Sequence, residues 1–544
     1  MQPSIGLITL NAKFIHSSLS LRSLRNAARN AGYHSAWIRE FTINQPIWKI
    51  AAEVQKQNPD ILGISIYIWN RQKSLELIEM LQKQKPEIKI VVGGPEVSFD
   101  DEPPAGCTLI AGEGEAKWVE YLGFACEGNL PPANVLERFK TFGTDLPSLA
   151  APYLEEDLPD LRNRYAYIET SRGCPYLCSF CLSALDEKVR YFDEDLIREQ
   201  LAMLIEAGVR KFKFVDRTFN LNPKRMKRLI KWLSHYEDRE FHFEVVGDIL
   251  SDDMLDFLSS VPKGVFQFEI GVQTLNEDVN SRMDRRQDNA RLFSAIKRLV
   301  REDRIHIHCD LIFGLPGEGL KDALNSFEEV LQLKPHELQL GFLKFLPGAP
   351  IKNLIKEFDY RYLSTPPYEV IANRDMPSND IIFLKNFDEI FDQFYNSKRF
   401  RFTIEHLFQT IKPVDLFSKL LDQRQKRYSM DEHLSLDSQF RLLSDTFELH
   451  QSAFTRDLLK LDFLYHRKQF RLPAFMREGV WHLPRNKRTS WEGDRKTPIH
   501  TFMHTLHQDE AGVRLKSSED PVFYALVHPE CDSGYFTHPT LHRI

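Results

Sequence analysis

Three cysteines, Cys174, Cys178 and Cys181, follow one another at the spacing C-x3-C-x2-C, soon after the apolar run 166–168. Three thiolates this close in sequence can hold one face of a cube-shaped iron–sulfur cluster. Such a cluster keeps one iron without a protein ligand, and a substrate or cofactor can bind there. The spacing therefore predicts an iron–sulfur centre with an open coordination position.

Two other metal centres would use cysteines differently. A structural zinc site needs four ligands in two well-spaced pairs, and neither a second Cys pair nor a suitably spaced Cys/His pair follows Cys181. An electron-transfer ferredoxin normally supplies a fourth Cys. Cys309 stands inside an apolar run and is predicted to be a small core residue. Zinc and simple electron transfer are therefore disfavoured.

The composition sets the frame for this centre. A length of 544 residues suggests roughly three domains, and 42% hydrophobic residues can build large cores. The net charge of −6 lacks the basic field of a dedicated nucleic-acid binder. Seven scattered and clustered cysteines do not resemble a disulfide framework and fit a reducing compartment. With no signal-peptide pattern and no apolar run of about 18 residues, we expect a cytoplasmic protein without a membrane span.

Residues 1–126 alternate between short apolar runs and helical patterns, which predicts a doubly wound, Rossmann-like parallel sheet. Ligands of such sheets bind at the carboxyl ends of the strands. Glycines at those ends let a flat or bulky ligand approach the backbone closely. The candidate binding residues there are Ser65, Tyr67, Gly93, Gly94, Glu96, Gly112, Glu113 and Gly114.

Residues 127–160 are punctuated by proline and glycine and are predicted to be a linker. Residues 161–355 then show six apolar strand patterns with helices between them. Six βα units predict a partial (βα)6 TIM-like barrel, with the chemistry at the carboxyl ends of its strands. The overall fold class is therefore α/β.

The cysteine spacing, with Phe180 just before the last Cys, resembles the signature of the radical S-adenosylmethionine (SAM) enzymes, and residues 161–355 resemble their partial barrel. The resemblance implies that Cys174, Cys178 and Cys181 ligate a [4Fe–4S] cluster whose open iron takes the amino and carboxylate groups of SAM. The usual Gly-Gly-Glu is replaced by a Phe-Val-Asp-x-x-Phe-Asn pattern around Asp216. The SAM contacts that the resemblance implies are Phe180, Asp216, Glu244, Gln273 and Asp310.

Some of these residues have a structural alternative. Glu244 and Glu269 can equally be buried ion pairs with neighbouring arginines, and Gln273 can simply bond to backbone.

The first 126 residues resemble the cobalamin-binding domain that precedes many radical SAM modules, in which Gly-Gly-Pro and Gly-Glu-Gly-Glu turns recur. The resemblance implies that the eight candidate residues of this domain bind cobalamin. The histidine that ligates cobalt in some relatives belongs to an Asp-x-His-x-x-Gly motif, but Phe14 and Leu19 replace its Asp and Gly here. His16 is therefore not predicted to ligate cobalt. The alternative is an ordinary doubly wound domain without a cofactor.

Residues 356–544 are predicted to form a mostly helical domain, for example over 381–395, where apolar residues recur at helical spacing. This region resembles an uncharacterised extension of one subgroup of cobalamin–radical SAM proteins. Within 466–496, nine Lys/Arg oppose three acids among interleaved aromatics. Contact with RNA or an anionic substrate is one interpretation, and a solvated surface is the favoured one.

Together these features predict a cobalamin-dependent radical SAM enzyme that cleaves SAM to a 5′-deoxyadenosyl radical and functionalises, by methylation, an unactivated carbon. It would need a flavodoxin- or ferredoxin-type reductant and a substrate that the sequence does not name. One alternative is a non-methylating outcome such as rearrangement, RNA modification or thio modification. Sulfur insertion usually needs a second cluster, and no second three-Cys motif exists. The other alternative is a cluster or corrinoid sensor.

Overall fold

The fold is that of a computed structural model, which describes residues 3–100, 102–140, 151–429, 431–465, 472–476, 499–509, 512–527 and 540–543. The chain divides into two compact units, Met1–Ile381 and Ile382–Ile544. Within the described ranges, no helix has both the length and the apolar character needed to cross a bilayer.

The first unit begins with the predicted parallel sheet. Its strands are β1 (Ile5–Asn11), β2 (Ala36–Thr42), β3 (Ile61–Ser65), β4 (Lys89–Gly93) and β5 (Cys107–Ile110). Its helices are α1 (Leu19–Asn30), α2 (Ile47–Gln57), α3 (Arg71–Gln84), α4 (Glu115–Cys126) and α5 (Ala133–Phe139). The strand order is β2-β1-β3-β4-β5 with all pairs parallel. Separate apolar clusters cover the two faces of the sheet, as a parallel sheet requires.

Helix α1 fastens the end of the linker to this domain. The hydroxyl of Ser18 accepts the N–H of Leu21 at 3.3 Å and caps the helix. Arg25 is almost fully buried on the same helix and donates two bonds to Asp157, at 2.8 and 2.7 Å. A bidentate, buried pair of this kind fixes both partners in one geometry. Asp157 directly precedes the short helix α6 (Leu158–Leu161), so the chain enters the barrel from a fixed point.

The central region contains the six predicted barrel strands and one small hairpin. In chain order its strands are β6 (Tyr165–Ile168), β7 (Ser171–Arg172), β8 (Arg190–Tyr191), β9 (Lys211–Phe214), β10 (Glu240–Val245), β11 (Phe266–Gln273), β12 (His306–Phe313) and β13 (Glu337–Phe342). The helices are α7 (Glu194–Glu206), α8 (Pro223–Leu233), α9 (Asp252–Leu258), α10 (Glu277–Arg282), α11 (Asn289–Glu302) and α12 (Leu320–Gln332). The parallel sheet runs β6-β9-β10-β11-β12-β13, and β7 pairs with β8. Its edges are β6 and β13, so it is a partial barrel.

The barrel strands alternate in character. In β10 and β11 the buried positions are aromatic or aliphatic, such as Phe241, Phe243 and Phe268, and the positions between them are polar and only half-buried. Because successive side chains of a strand point to opposite faces, the apolar set packs under the helices. The polar set, including His242, Glu244 and Glu269, lines a cavity on the other face.

The segment that follows β13 stays with the first unit. It contains β14 (Arg361–Tyr362) and β15 (Val370–Ala372), which form an antiparallel pair. Tyr360 and Asn373 both donate to the carbonyl of Gly314, at 3.0 and 3.2 Å. These bonds hold the segment against the end of β12, and the compact unit accordingly extends to Ile381, beyond the domain boundary predicted at 355.

The second unit is helical over its first part, as predicted. The helices are α13 (Ser378–Phe391, which begins in the first unit), α14 (Arg401–Leu407), α15 (Pro413–Arg427), α16 (Leu436–Thr446) and α17 (Ala453–Tyr465). Buried Asp462 accepts the N–H groups of Phe402 and Thr403, both at 2.9 Å, and so ties α17 to the start of α14.

An antiparallel sheet that the sequence did not predict follows: β16 (Ile499–Asp509), β17 (Gly512–Val527) and β18 (Thr540–Arg543). The basic stretch 466–496 lies outside the described residues except for 472–476.

Candidate functional site

A cavity of about 1120 Å³ lies where the strand ends of the first sheet meet those of the barrel. Both sets of strands belong to the compact unit Met1–Ile381. The barrel contributes charged or titratable side chains, namely Lys213, Arg217, His242, Glu244 and Glu269. A cavity at the carboxyl ends of parallel strands is the usual place for a ligand in both kinds of sheet.

All the residues predicted to bind cobalamin line this cavity. They are Ser65, Tyr67, Gly93, Gly94, Glu96, Gly112, Glu113 and Gly114. They come from the ends of β3 and β4 and from the turns after β3, β4 and β5, which the parallel order of the sheet places side by side. The first sheet thus brings together eight residues that the sequence predicted at the ends of separate strands. Their contact with cobalamin stays a prediction.

Gly93 and Gly94 are required by the backbone as well as by the shape of the cavity. Gly94 has φ +105°, and a Cβ at this position would lie 2.5 Å from the carbonyl oxygen of Ile66. A Cβ on Gly93 would lie 3.0 Å from the carbonyl oxygen of Ile110. Neither position accepts a side chain without movement of its neighbours, so this wall of the cavity is bare backbone.

Two aromatic side chains stand beside this wall. Tyr67 and Trp69 stack with ring centroids 4.6 Å apart, and the Tyr67 hydroxyl lies 3.0 Å from Ser20 Oγ. Burial raises the pKa of Tyr67, so its phenol stays neutral at physiological pH. The first sheet therefore offers an uncharged, partly aromatic surface.

The two predicted acidic residues of this domain are engaged with protein groups. Glu96 accepts a hydrogen bond from the Tyr368 hydroxyl and lies 3.7 Å from Arg71 Nη1. Glu113 accepts from Arg190 Nη1 at 3.2 Å and lies 3.4 Å from Arg172 Nη1. Their carboxylates thus connect neighbouring segments of the protein. A ligand would contact these carboxylates in addition to their existing partners.

Arg172 is the centre of an ion network that joins the two domains. It donates to both carboxylate oxygens of Glu169 at 2.9 Å and to Glu115 at 2.7 Å. Its side chain is 16% exposed, and the carboxylates raise the pKa of its guanidinium against the cost of burial. Burial in turn raises the pKa of Glu169. Because Arg172 precedes Cys174 by two residues, the Gly-Glu-Gly-Glu turn is bonded to the start of the cysteine loop.

The cysteine loop itself is held by backbone bonds. The N–H of Cys174 donates to the carbonyl of Asp186 at 2.8 Å, and that of Cys181 donates to the carbonyl of Cys178 at 2.9 Å. Cys174 and Cys178 are buried, and Cys181 is half-buried. Burial raises the pKa of Cys178, and the neighbouring guanidinium of Arg285 partly offsets this rise.

Among the described residues, no three His, Cys, Asp or Glu side chains converge on one metal ion. An iron–sulfur cube is wider than a single ion, and three of its four irons would each take a separate cysteine. Three neighbouring thiols that do not converge on one point are therefore compatible with cluster ligation, which stays a prediction for Cys174, Cys178 and Cys181.

Asp216, predicted to contact SAM, is fully engaged in the structure. Its Oδ1 accepts the hydroxyls of Thr170 and Ser171 at 2.7 and 2.5 Å, and its Oδ2 accepts the N–H of Thr170 at 3.0 Å. Burial raises the pKa of Asp216 despite these bonds. The carboxyl therefore holds the segment between β6 and the cysteines, and a direct contact with SAM stays a prediction.

The other predicted SAM residues are distributed over three elements. Phe180 is half-buried in the cysteine loop. Gln273 ends β11 at φ +65°, and its buried Oε1 has no hydrogen-bond partner. Asp310 Oδ1 lies 3.1 Å from His308 Nε2 in β12. Of the five, only Glu244 lines the cavity.

Glu244 and Glu269 form the ion pairs given as the alternative for them, but only one pairs with an arginine. Glu244 lies 3.2 Å from Arg217 Nη1, whereas Glu269 lies 3.0 Å from His242 Nε2. Burial, partly offset by Arg217, raises the pKa of Glu244 to about 7. This end of the cavity thus carries both charge signs and a carboxyl that titrates near neutrality.

His16 also lines the cavity, and its Nδ1 lies 2.7 Å from the Tyr167 hydroxyl. Burial and nearby cations, Lys213 first among them, lower the pKa of His16, so its ring is neutral at physiological pH. The bond to Tyr167 gives this histidine a role between the first sheet and β6, and the absence of cobalt ligation by His16 stays a prediction.

Sequence reasoning did not identify Arg172, Arg190, His242 and Tyr167 as parts of the site. A signal existed for His242, because polar residues alternating with Phe241 and Phe243 indicate a strand with one polar face. Arg172 and Arg190 pair with residues of another domain, and a local sequence pattern cannot predict such pairs.

Comparison with known protein families agrees with this architecture. Residues 5–122 match the B12 binding domain, residues 168–330 match the radical SAM superfamily, and residues 356–509 match a domain of unknown function, DUF4080. The chain carries a B12-binding domain followed by a radical SAM domain. The cofactors that belong to these two domains are cobalamin and a [4Fe–4S] cluster with SAM.

Two curated proteins similar to this chain are named as methyltransferases. The chain is 23% identical over 393 residues to the cobalamin-dependent radical SAM methyltransferase TokK of Streptomyces tokunonensis, covering 62% of this chain and 55% of TokK. It is 22% identical over 319 residues to bacteriochlorophyllide d C-12(1)-methyltransferase of Chlorobaculum tepidum, covering 57% and 69% of the two chains. The chain thus spans little more than half the length of TokK.

Two solved structures share the fold. The cobalamin-dependent SAM radical enzyme OxsB in its apo form superposes with a TM-score of 0.59 at 14% identity, over 83% of this chain and 75% of OxsB. The radical SAM methyltransferase TsrM of Kitasatospora setae, solved with cobalamin and a [4Fe–4S] cluster bound, gives 0.55 at 16% identity, over 66% and 78%.

Proposed function

We propose that this chain is a cobalamin-dependent radical SAM methyltransferase, with Cys174, Cys178 and Cys181 as the ligands of its [4Fe–4S] cluster. The observation that carries the proposal is the shared cavity of about 1120 Å³. The bare turns of the B12-binding domain and the charged strand ends of the radical SAM domain line it together. Relatives named as methyltransferases favour methyl transfer over other outcomes.

The side chains at the two ends of the cavity fit these groups. Three neighbouring thiols in one backbone-fixed loop suit a cluster with three protein ligands, and the glycine wall beside Tyr67 suits a large ring system. When bound, the cluster supplies the electron that cleaves SAM, and cobalamin carries the methyl group. The chain's task is to hold these groups in one orientation and to exclude water.

The chain's own residues have distinct parts in this task. Arg172 keeps the turn 112–115 against the cysteine loop, and Asp216 fixes Thr170 and Ser171 ahead of it. At the barrel end, Lys213, Glu244 and Glu269 offer charges of both signs. A flavodoxin- or ferredoxin-type protein would supply the electron.

The test uses full-length protein produced with cobalamin, reconstituted anaerobically with iron and sulfide, and given SAM whose methyl group carries deuterium. We expect bound corrinoid, cluster absorbance and cleavage of SAM with a chemical reductant. Mass spectrometry of a cell extract treated with the enzyme should then find a compound that gains a deuterated methyl group. SAM cleavage without any labelled compound would contradict methyl transfer, and absence of the cluster would contradict the whole proposal.

A further inference from the structure

The guanidinium of Arg285 lies against the sulfur of Cys178. Its Nη1 donates to Cys178 Sγ at 3.7 Å, within the range of an N–H···S hydrogen bond. Its Nη2 donates to the carbonyl of Gly271 at 2.5 Å, and Nε donates to Gln287 Oε1 at 3.0 Å. Nη2 also donates to Gln287 Oε1 at 2.9 Å, so the side chain is held through Nε and Nη2, and Nη1 is left to donate to the sulfur.

The backbone around Arg285 is fixed to the same loop. The N–H of Ser179, next to Cys178, donates to the carbonyl of Met283 at 2.9 Å, and the N–H of Arg285 donates to the carbonyl of Asn280 at 2.9 Å. Met283 is fully buried. The segment after α10 is thus docked on the cysteine loop, and the position of the guanidinium follows from the fold.

We propose that Arg285 raises the reduction potential of the cluster held by Cys178. Reduction adds negative charge to a cluster, and this charge spreads onto the ligand sulfurs. A fixed positive charge and an N–H donor at one sulfur stabilise the reduced form more than the oxidised form. The inference rests on the proposed function, because it needs Cys178 to be a cluster ligand.

Arg286 offers a matched control one residue away. It carries the same charge but is exposed, and no contact between it and Cys178 is present in the described structure. Both arginines border a second cavity beside Leu177. Arg285→Met and Arg286→Met therefore change the net charge equally, and only the first removes the bond to sulfur.

The experiment is a redox titration of the reconstituted full-length protein, followed by the electron paramagnetic resonance signal of the reduced cluster. We expect Arg285→Met to lower the ratio of reduced to oxidised cluster at a fixed potential about tenfold, which for one electron is a shift of about 59 mV to more negative potential. Arg285→Lys should give a smaller shift, since it keeps the charge but loses the fork. Arg286→Met should titrate like the wild type.

The outcomes separate the inference from the proposed function. A wild-type protein that forms no cluster would contradict the proposed function. A normal cluster whose potential is unchanged in Arg285→Met, or changed equally in Arg286→Met, would overturn the inference alone. If Arg285→Met does not take up a cluster, Arg285→Gln decides, because it removes the charge but keeps a polar side chain, and an unchanged potential in that variant would overturn the inference.

Discussion

The two sheets of the first unit present opposite kinds of strand end to one cavity. The strands of the first sheet end in Ser65 and in the glycine turns at 93–94 and 112–114. Its two acidic residues, Glu96 and Glu113, form ion pairs or hydrogen bonds with other protein groups. The barrel ends in charged and titratable groups such as His242, Glu244 and Glu269. The difference indicates two modes of recognition: shape and backbone contact on one side, charge and hydrogen bonding on the other.

The largest effect should come from the barrel side. Cys178→Ala removes one of three cluster ligands, so we expect loss of the cluster absorbance and loss of SAM cleavage. Corrinoid binding, which depends on the other sheet, should persist. Cys107→Ala, in β5 of the first sheet, is the matched cysteine control and should keep both activities. Simultaneous loss of cluster and corrinoid in Cys178→Ala would contradict the division of labour between the two sides.

Most of this division could be predicted from the sequence, because it depends on local patterns. Strand periodicity located all six barrel strands. The carboxyl ends of the predicted strands in the first domain located the eight candidate cobalamin residues, which the structure then places on one cavity. The cysteine spacing is equally local.

What joins the two sides could not be predicted, because the partners are distant in sequence. Arg172 is bonded to Glu115, 57 residues earlier, and Tyr368 to Glu96, 272 residues earlier. Asp216 was expected to contact SAM, yet its carboxylate accepts hydrogen bonds from Thr170 and Ser171, which follow β6. The sheet of β16–β18 was also not predicted, because residues 356–544 were expected to be mostly helical.

The next effect concerns the connection between the sides. Arg172→Met leaves Glu169 and Glu115, which are 21% and 13% exposed, without their cation. Breaking a buried pair from one side costs about 3–5 kcal/mol. We expect that loss in the free energy of unfolding of the first unit, measured by denaturant titration, and weaker corrinoid binding.

Two control variants accompany Arg172→Met. Arg172→Lys keeps the charge and should recover part of the stability, although it lacks the bidentate geometry. Lys83→Met breaks an exposed pair with Glu79, which solvent screens, so it should have a much smaller effect on stability. Equal destabilisation by Arg172→Met and Lys83→Met would show that the network does not join the two sides.

The same substitution, Gly→Ala, can be used to test the first sheet and the barrel separately. Gly94 (φ +105°) borders the cavity on the first sheet, and a Cβ there would clash with the Ile66 carbonyl. Gly32 (φ +94°) lies in the same domain with nothing within 4 Å of a Cβ. Both Ala variants pay the left-handed backbone cost of about 1–2 kcal/mol. Gly94→Ala should lose more stability than Gly32→Ala and should also lose corrinoid.

The barrel offers the corresponding pair. At Gly173, beside Cys174, a Cβ would overlap the carbonyl of Lys188, while Gly208 has the same φ of +90° and open space. Gly173→Ala should reduce cluster content and leave corrinoid binding intact, and Gly208→Ala should change neither. Corrinoid loss in Gly173→Ala, or cluster loss in Gly94→Ala, would mean that the two loops act as one element.

The smallest expected effect is the pH dependence of the barrel end. The folded pKa of Glu244, about 7, lies above the ordinary 4.5 of an unfolded glutamate. Between these values the unfolded chain releases a proton that the folded chain keeps, so stability falls as pH rises from about 4.5 to 7 and then levels off. Glu244→Gln removes this term. The variant should gain about 1–2 kcal/mol relative to wild type between pH 5 and pH 8, after a reduction for a side chain that is 31% exposed.

The control for this prediction has the opposite sign. Lys83 lowers the pKa of Glu79 on the exposed face of α3, so its stabilising contribution is present at neutral pH and is lost as pH falls. Glu79→Gln should therefore lose stability relative to wild type at pH 7, whereas Glu244→Gln gains it. Thermal unfolding of the cofactor-free protein at pH 5 and pH 8 measures both. A Glu244→Gln curve parallel to that of wild type would mean that Arg217 already keeps Glu244 ionised, and that the barrel end holds a fixed ion pair in place of a titrating carboxyl.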